Sequence, residues 1–217
     1  MKRLSFWIIP LLLALTVVSV EAQGGRQAQA ELKDANGQTV GLVNFVQNGN
    51  GVEITLQVNN LPPGPHGVHV HAVGQCDAPE FTSAGGHFNP GGVQHGLENS
   101  AGPHAGDWPN LEVGQDGQGQ LAYFNDRISL SDGPNSLFDG DGSAVVIHAG
   151  PDDQISDPAG DSGARIACGL VMAVPASLPA TGGALAPWVW WLIAAGVCLL
   201  VTGLALQWRK GMVSFLS

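Results

Sequence analysis

Six residues near the middle of the chain, His66 to His71, read HGVHVH and hold three imidazole side chains. If this stretch is a β-strand, residues two apart project from the same face, so His69 and His71 can reach one metal ion. The same side chains could instead be surface polar groups or hydrogen-bonded core histidines, and an isolated His-x-His motif is weak evidence for a metal site. All seven histidines nevertheless lie between His66 and His148. This confinement favours a shared site.

Further potential metal ligands follow the first cluster, each close to a glycine: His87, His95, His104, Asp107 and His148. Imidazole nitrogens suit copper and zinc, whereas one carboxylate together with several imidazoles suits tetrahedral zinc. The residue types are therefore those of a copper or zinc site.

Short strands must position these side chains. Apolar or β-branched residues alternate with polar ones in several segments, and Asn-Gly steps separate the first three, which predicts strands at 29–33, 39–46, 52–58, 67–71, 119–124, 143–148 and 165–174. From Gly74 to Glu112 this pattern stops, and a loop of that length is usually functional or disordered. A disordered tether would not need the histidines that this loop carries. With no helical period of useful length in the domain, an antiparallel β barrel or sandwich is predicted.

The N-terminus carries an apolar run with the layout of a secretory signal. Lys2 and Arg3 precede the run, which extends from Leu4 to about Val18, and a cleavage site ending in the small residue Ala22 follows it. This layout predicts a signal peptide over residues 1–22. An uncleaved lipid-embedded anchor is the alternative.

The C-terminus carries a longer uncharged run, residues 184–208, with tryptophans at both edges. Because Arg209 and Lys210 follow it, we predict a transmembrane helix with residues 209–217 as a cytoplasmic tail. A buried core helix is the alternative, but a run that is apolar on every face does not favour it.

Just before that run, residues 178–183 contain the sequence LPATG. This resembles the sorting signal of Gram-positive surface proteins, which a sortase cuts between the threonine and the glycine. The alternative is a linker into a permanent anchor. In either case residues 23–177 form one domain on the extracellular face of the cell, membrane-anchored or attached by a sortase to the cell wall.

The composition of that domain restricts its partners. Residues 23–177 hold four of the eight basic and seventeen of the eighteen acidic residues, so the formal net charge is −13, unsuited to nucleic acid. Cys198 lies in the predicted membrane span, which leaves Cys76 and Cys168 as the pair in a compartment where disulfides persist. We predict that they are joined.

From about Ala30 to Val174 the chain resembles the copper/zinc superoxide dismutase family. The strings that carry the resemblance occur in family order: HGVHVHAVGQC, SAGGHFNP, QHG, HAGDWPN, VVIHAGPDD and GARIACG. The resemblance implies an eight-stranded Greek-key β barrel (an immunoglobulin-like sandwich) with long metal-binding loops.

The resemblance also implies a role for each site residue. The copper ligands would be His69, His71, His87 and His148, and the zinc ligands His87, His95, His104 and Asp107, with His87 bridging the two ions. Asp152 would link His69 to His95. Arg165 would guide and hold the substrate anion, and Cys76 with Cys168 would be the family disulfide. His66 is expected to be structural, and Phe88 and Trp108 to pack beneath the loops.

By resemblance the activity is conversion of superoxide to dioxygen and hydrogen peroxide through Cu(II)/Cu(I) cycling, with zinc structural. His87 would take up a proton on reduction and later supply it to peroxide. One departure concerns the segment from Asp152 to Arg165, which is short and has no lysine where many relatives carry basic residues. We therefore expect weaker electrostatic steering and a more exposed site.

Three alternatives share the fold: a copper-binding or delivery module without activity, a surface display domain, and a copper-only variant. The first would lack a copper ligand or the arginine, yet His69, His71, His87, His148 and Arg165 are all present. The second has no need of a full ligand set or of Asp152. The third is disfavoured because His95, His104 and Asp107 are intact.

Overall fold

The computed structural model describes residues 26–175 and, beyond them, Leu192 alone. The predicted signal peptide, sorting motif, transmembrane helix and tail therefore lie outside the described residues, apart from that single leucine. Among the residues described, there is no helix with the length and apolar character needed to cross a membrane.

The regular secondary structure of residues 26–175 consists of β-strands and one short 3-10 helix at Thr82–Ala84. Ten strands run in chain order: β1 Gln27–Asp34, β2 Thr39–Asn48, β3 Gly51–Val58, β4 Gly64–His66, β5 Val68–His71, β6 Leu111–Val113, β7 Gly119–Asn125, β8 Ala144–His148, β9 Arg165–Leu170 and β10 Met172–Val174. Each of the seven predicted strands overlaps an observed one, and β4 and β6 are additional.

Alternation of side chains explains why the long strands form. In β3 the apolar residues Val52, Ile54, Leu56 and Val58 are buried while the polar residues between them are exposed, as expected for a strand with one face on a core. At the centre of that core the rings of Phe45 and Trp108 meet edge to face, with their centroids 6.0 Å apart.

Strand β8 differs because every one of its residues is buried. Val145 and Ile147 belong to the main core, whereas Val146 packs in a second cluster with Phe81 and Cys168. The strand is therefore covered on both faces, and His148 at its end emerges into an already enclosed region.

The strands form an antiparallel sheet in the order β4-β6-β7-β3-β2-β1-β9-β8-β5, with β10 paired to β1. The two end strands, β4 and β5, are consecutive in the chain and only Gly67 separates them. The sheet therefore curls into a nearly closed barrel, and the predicted all-β class is confirmed. Ten segments take the place of the eight strands that the family resemblance implies, because two extended runs are interrupted, one at Gly67 and one at Val171.

The predicted disulfide is present. Cys76 and Cys168 are joined, with their Cα atoms 5.7 Å apart. The bond ties the loop after β5 to β9, the strand that begins with Arg165.

Candidate metal centre

Two loop segments lie alongside β5 and bring further polar side chains to it. The Val70 N–H donates to the Gly106 carbonyl at 2.9 Å, and the Phe88 N–H donates to the Val70 carbonyl at 2.8 Å. A Cβ atom at Gly106 would collide with that Val70 oxygen, so only glycine permits this approach. The result is that His87 and Asp107 stand beside the two histidines of β5.

Four buried ring nitrogens converge on one point. Within the described residues none of them has a hydrogen-bond partner: His69 Nδ1, His71 Nε2, His87 Nε2 and His148 Nε2. One ligand atom from each of these four side chains lies within 4.8 Å of the others. Buried polar atoms without partners are rare because desolvation is costly. A cation held about 2 Å from each nitrogen would satisfy all four.

In three of these rings the other nitrogen meets an oxygen acceptor: His69 Nε2 and Asp152 Oδ2 at 2.7 Å, His71 Nδ1 and the Gly85 carbonyl at 2.9 Å, His148 Nδ1 and the Gly163 carbonyl at 3.1 Å. These oxygens only accept, so the ring N–H must lie on the bonded nitrogen. The lone pair is thereby left on the nitrogen that faces the convergence point.

Burial also keeps these rings uncharged. Loss of solvation lowers the pKa of His69 to about 3 and that of His148 to about 4, and it holds the pKa of His71 well below its ordinary value. Neutral imidazole is the form that binds metal, so the cluster is ready for a metal at neutral pH.

A second cluster surrounds the opposite nitrogen of His87. Asp107 Oδ1 lies 2.9 Å from His87 Nδ1, 3.0 Å from His95 Nδ1 and 3.4 Å from His104 Nδ1, and the last two rings flank His87, with His104 Nδ1 3.4 Å from His87 Nδ1. Four atoms placed tetrahedrally about 2.0 Å from zinc are about 3.3 Å apart. These separations match the edges of such a tetrahedron.

His69 also comes within 4.8 Å of three members of this second cluster. Its Nε2 is committed to Asp152 and its Nδ1 belongs to the first cluster. His104 Nδ1, by contrast, lies 3.4 Å from both Asp107 Oδ1 and His87 Nδ1, so His104 is the better fourth member of the second cluster.

Asp107 is oriented by its second oxygen. Oδ2 accepts hydrogen bonds from the main-chain N–H groups of Gly96 and His104, both at 2.9 Å, which turns Oδ1 toward the three rings. Burial alone would raise the pKa of Asp107, but the donors around it, His104 first, hold that pKa well below its usual range. The cluster thus contains a fully buried carboxylate that remains anionic and favours a cation.

Asp152 connects the two clusters. Its Oδ2 faces His69 Nε2 and its Oδ1 faces His95 Nε2 at 3.0 Å. Asn110 fixes this carboxylate in turn, because its amide exchanges two hydrogen bonds of 2.8 Å with the main chain of Asp152. Burial would lower the pKa of His95, but the carboxylates of Asp107 and Asp152 outweigh it and raise the pKa to about 9.

A cleft of about 380 Å³ opens onto the first cluster and is lined by His71, His87, His148 and Arg165 among others. The Arg165 guanidinium is fixed by hydrogen bonds to the carbonyls of Phe81 and Gly85, both at 2.6 Å. One fixed positive charge therefore stands where a small anion would approach the four ring nitrogens.

Residues 39–171 match the family model for copper/zinc superoxide dismutase (SODC). The chain belongs to the copper/zinc superoxide dismutase family. It is 46% identical over 147 residues to Cu-Zn superoxide dismutase 1 of Aquifex aeolicus, covering 67% of this chain and 87% of that relative. It is 43% identical over 160 residues to Cu-Zn superoxide dismutase 2 of the same organism, covering 73% of this chain and 94% of that relative. The crystal structure of a superoxide dismutase-like protein from Bacillus subtilis is similar at a TM-score of 0.62 and 40% identity, over 65% of this chain and 96% of that one.

The family's two metals suit the two clusters of this chain. Four neutral imidazoles form a donor set typical of copper, and three imidazoles with one carboxylate form a donor set typical of zinc. The structure brings together every residue that the sequence suggested for the site. His66 lies outside both clusters, where its ring nitrogens face the carbonyls of His148 and Pro62 at 2.7 and 2.8 Å.

Sequence reasoning missed the residues that orient the rings. The carbonyls of Gly85 and Gly163 are main-chain groups, and a carbonyl leaves no signature in residue type. Asn110 stands in the string HAGDWPN, but nothing in its spacing from Asp152 indicates that the two would pair. Asp157, which also lines the cleft, carries no motif.

Proposed function

We propose that the cleft beside Arg165 is the active site of an extracytoplasmic superoxide dismutase, which converts two superoxide anions and two protons to dioxygen and hydrogen peroxide. Copper would be held by His69, His71, His87 and His148, and zinc by His87, His95, His104 and Asp107. The observation that carries the proposal is the convergence of four buried ring nitrogens, without hydrogen-bond partners among the described residues, beside a cleft that holds one fixed guanidinium.

Copper, when bound, supplies one-electron redox chemistry between its Cu(II) and Cu(I) states. Arg165 attracts the anion and, because two carbonyls fix its guanidinium, orients it toward the four nitrogens. His87 is suited to the proton step, since its Nδ1 is held at Asp107 and its Nε2 faces the cleft side. A proton carried at that Nε2 in the reduced half of the cycle passes to the departing peroxide.

The zinc-side residues give His87 a fixed position. Asp107 Oδ1 lies 2.9 Å from His87 Nδ1, and His104 Nδ1 lies 3.4 Å from the same nitrogen. The rings of His95 and His104 also contact that Asp107 oxygen. A structural zinc ion suits such a closed arrangement, because all four of its positions are taken by protein atoms.

The test uses the full-length protein loaded with copper and zinc, assayed for superoxide dismutation by stopped flow beside His148→Ala. Removal of a ligand should lower activity by more than about 100-fold, exceeding the loss typical of outer partners. The internal control is metal content, since the variant should lose copper and retain zinc. Activity that survives the substitution would rule out the site assignment.

We further propose that the enzyme acts on the outer face of the cell. Disulfides persist in oxidising compartments, and Cys76 and Cys168 are joined. The signal-peptide pattern over residues 1–22 and the apolar run 184–208 are consistent with that location. Release of the native protein by detergent would support a membrane anchor, release only by cell-wall digestion would support sortase attachment, and recovery in the cytosol would contradict both.

A further inference from the structure

Most of the candidate ligand rings have an oxygen acceptor at the nitrogen that faces away from the metal. Asp152 serves His69 and His95, and main-chain carbonyls serve His71 and His148. His87 is an exception, because each of its two ring nitrogens faces one of the two clusters. The remaining candidate ligand ring is that of His104. Its Nδ1 belongs to the zinc cluster, and its Nε2 lies 3.8 Å from Asp157 Oδ1.

Asp157 has a second, shorter contact with the zinc cluster. The same Oδ1 accepts a hydrogen bond of 2.8 Å from the main-chain N–H of His95. One carboxylate oxygen therefore touches the backbone of one zinc-side histidine and approaches the ring of another. The side chain of Asp157 is 51% exposed and that of His104 only 7%, so the residue lies at the rim between solvent and the cluster.

The backbone just before Asp157 is fixed against the loop that carries His95. The Glu98 N–H donates to the Gln154 carbonyl at 3.0 Å, and Asn99 donates from its side chain to the Ile155 carbonyl at 3.1 Å. Gly96 lies so close to Gln154 that a Cβ atom would collide with its carbonyl. The position of the Asp157 carboxylate is thus set by interlocked loops.

Substrate attraction does not explain an acid at this place. Asp157 lines the same cleft as Arg165, and a carboxylate there opposes an approaching anion. The contacts of its carboxylate are with the zinc-side histidines, His95 and His104.

We propose that Asp157 is a positioning residue for the zinc half of the centre, raising zinc affinity without contacting the metal. This rests on the proposed assignment of His95 and His104 as zinc ligands. Of its two contacts, the charge-assisted hydrogen bond to the His95 N–H dominates. A separation of 3.8 Å from His104 is too long for a hydrogen bond, and solvent screens the charge of a half-exposed group.

This ranking distinguishes two substitutions. Asp157→Asn keeps an oxygen acceptor for the His95 N–H and removes the charge, whereas Asp157→Ala removes both. The alanine variant should lower zinc affinity by about tenfold or more, as for other outer partners of metal ligands, and the asparagine variant by only about two- to threefold. Asp161→Asn is the matched control, because Asp161 is an exposed acid on the same loop outside the cleft lining.

The experiment titrates zinc ions into the metal-free full-length protein against a chromophoric chelator, and copper(II) ions in a parallel series. We expect zinc affinity to be highest in the parent, lower in Asp157→Asn and lowest in Asp157→Ala. Copper affinity, and the zinc affinity of Asp161→Asn, should stay within about twofold of the parent's values. Amide exchange at His95 should accelerate in the alanine variant only, a readout that holds even if its affinity cannot be fitted.

Three outcomes would overturn the role of Asp157 but leave the zinc assignment standing. They are a zinc affinity of the alanine variant equal to the parent's, equal losses of zinc and copper affinity in that variant, or an equal loss of zinc affinity in Asp161→Asn. A parent protein that binds no zinc would overturn the zinc assignment as well, so the two failures are distinguishable.

Discussion

His71 and Arg165 donate hydrogen bonds to the same oxygen, the carbonyl of Gly85, at 2.9 and 2.6 Å. One peptide group therefore sets both the orientation of a candidate copper ligand and the position of the guanidinium above it. Gly85 has a φ of 74°, a left-handed conformation that favours glycine. The geometry of the cleft depends on this turn.

Substitution of Arg165 should separate charge from geometry. Lysine keeps a positive charge but cannot reach two carbonyls with a planar fork, and alanine loses both. We expect kcat/KM for superoxide to fall roughly tenfold in Arg165→Ala and by less in Arg165→Lys. Copper affinity should stay unchanged, because His71 retains its bond to Gly85. Wild-type kcat/KM in both variants would show that the guanidinium has no part in substrate approach.

Zinc binding should release a proton from His95. Its pKa is raised to about 9 in the metal-free protein, so at pH 7.5 the ring is charged and zinc must displace the proton from Nδ1. Calorimetry in buffers of different ionisation enthalpy should show about one proton released per zinc from this group, with the release declining as the pH rises through 9. In Asp152→Asn, which removes one of the two carboxylate charges, the decline should move to lower pH. Release that is independent of pH between 7.5 and 10 would contradict this origin.

The disulfide should stabilise both the fold and the cleft. Cys76 and Cys168 are 92 residues apart, so joining them restricts the unfolded chain strongly, by about 2–4 kcal/mol. For a domain of this size the double substitution Cys76→Ser, Cys168→Ser should lower the Tm of the metal-free protein by roughly 5–15 °C. Activity should fall too, since the freed loop carries the carbonyls that hold Arg165. Cys198→Ser serves as the control, and a Tm equal to the parent's would argue against a stabilising bond.

Salt should affect the reaction only weakly. Between His148 and Arg165 there are four aspartates and no lysine or arginine, so Arg165 is the cationic side chain in the cleft lining and the domain around it is strongly negative. We expect kcat/KM to fall little with ionic strength, or to rise as salt screens the repulsion. Ala159→Lys, which places an ammonium in the cleft lining, should increase kcat/KM at low salt and create a steep salt dependence. A steep fall already present in the parent would refute weak steering.

The long strands could be predicted from sequence because their burial alternates, as in β3, where Val52, Ile54 and Leu56 point to the core. Strands β4 and β6 could not, since each has three residues, too few to show a period. Their position in the sheet is set by pairing between strands that are far apart in the sequence.

The candidate site also has features that the sequence predicted and features that it could not predict. The spacing of His69 and His71 indicated one face of a strand, the cysteine count indicated the disulfide, and the family resemblance supplied Asp152 and Arg165. Which nitrogen of each ring is free could not be read from residue types. It depends on carbonyls such as that of Gly163, which the fold brings to His148.

The contact of Gly96 with the carbonyl of Gln154 also limits how this protein can be redesigned. Neither loop can change its backbone path at that point without the other, since no space exists for even one added methyl group. A longer, lysine-bearing segment from a relative could not be grafted between His148 and Arg165 by itself. The histidine-bearing loop facing it would have to be transplanted with it, so the two segments behave as a single exchangeable cassette on the barrel.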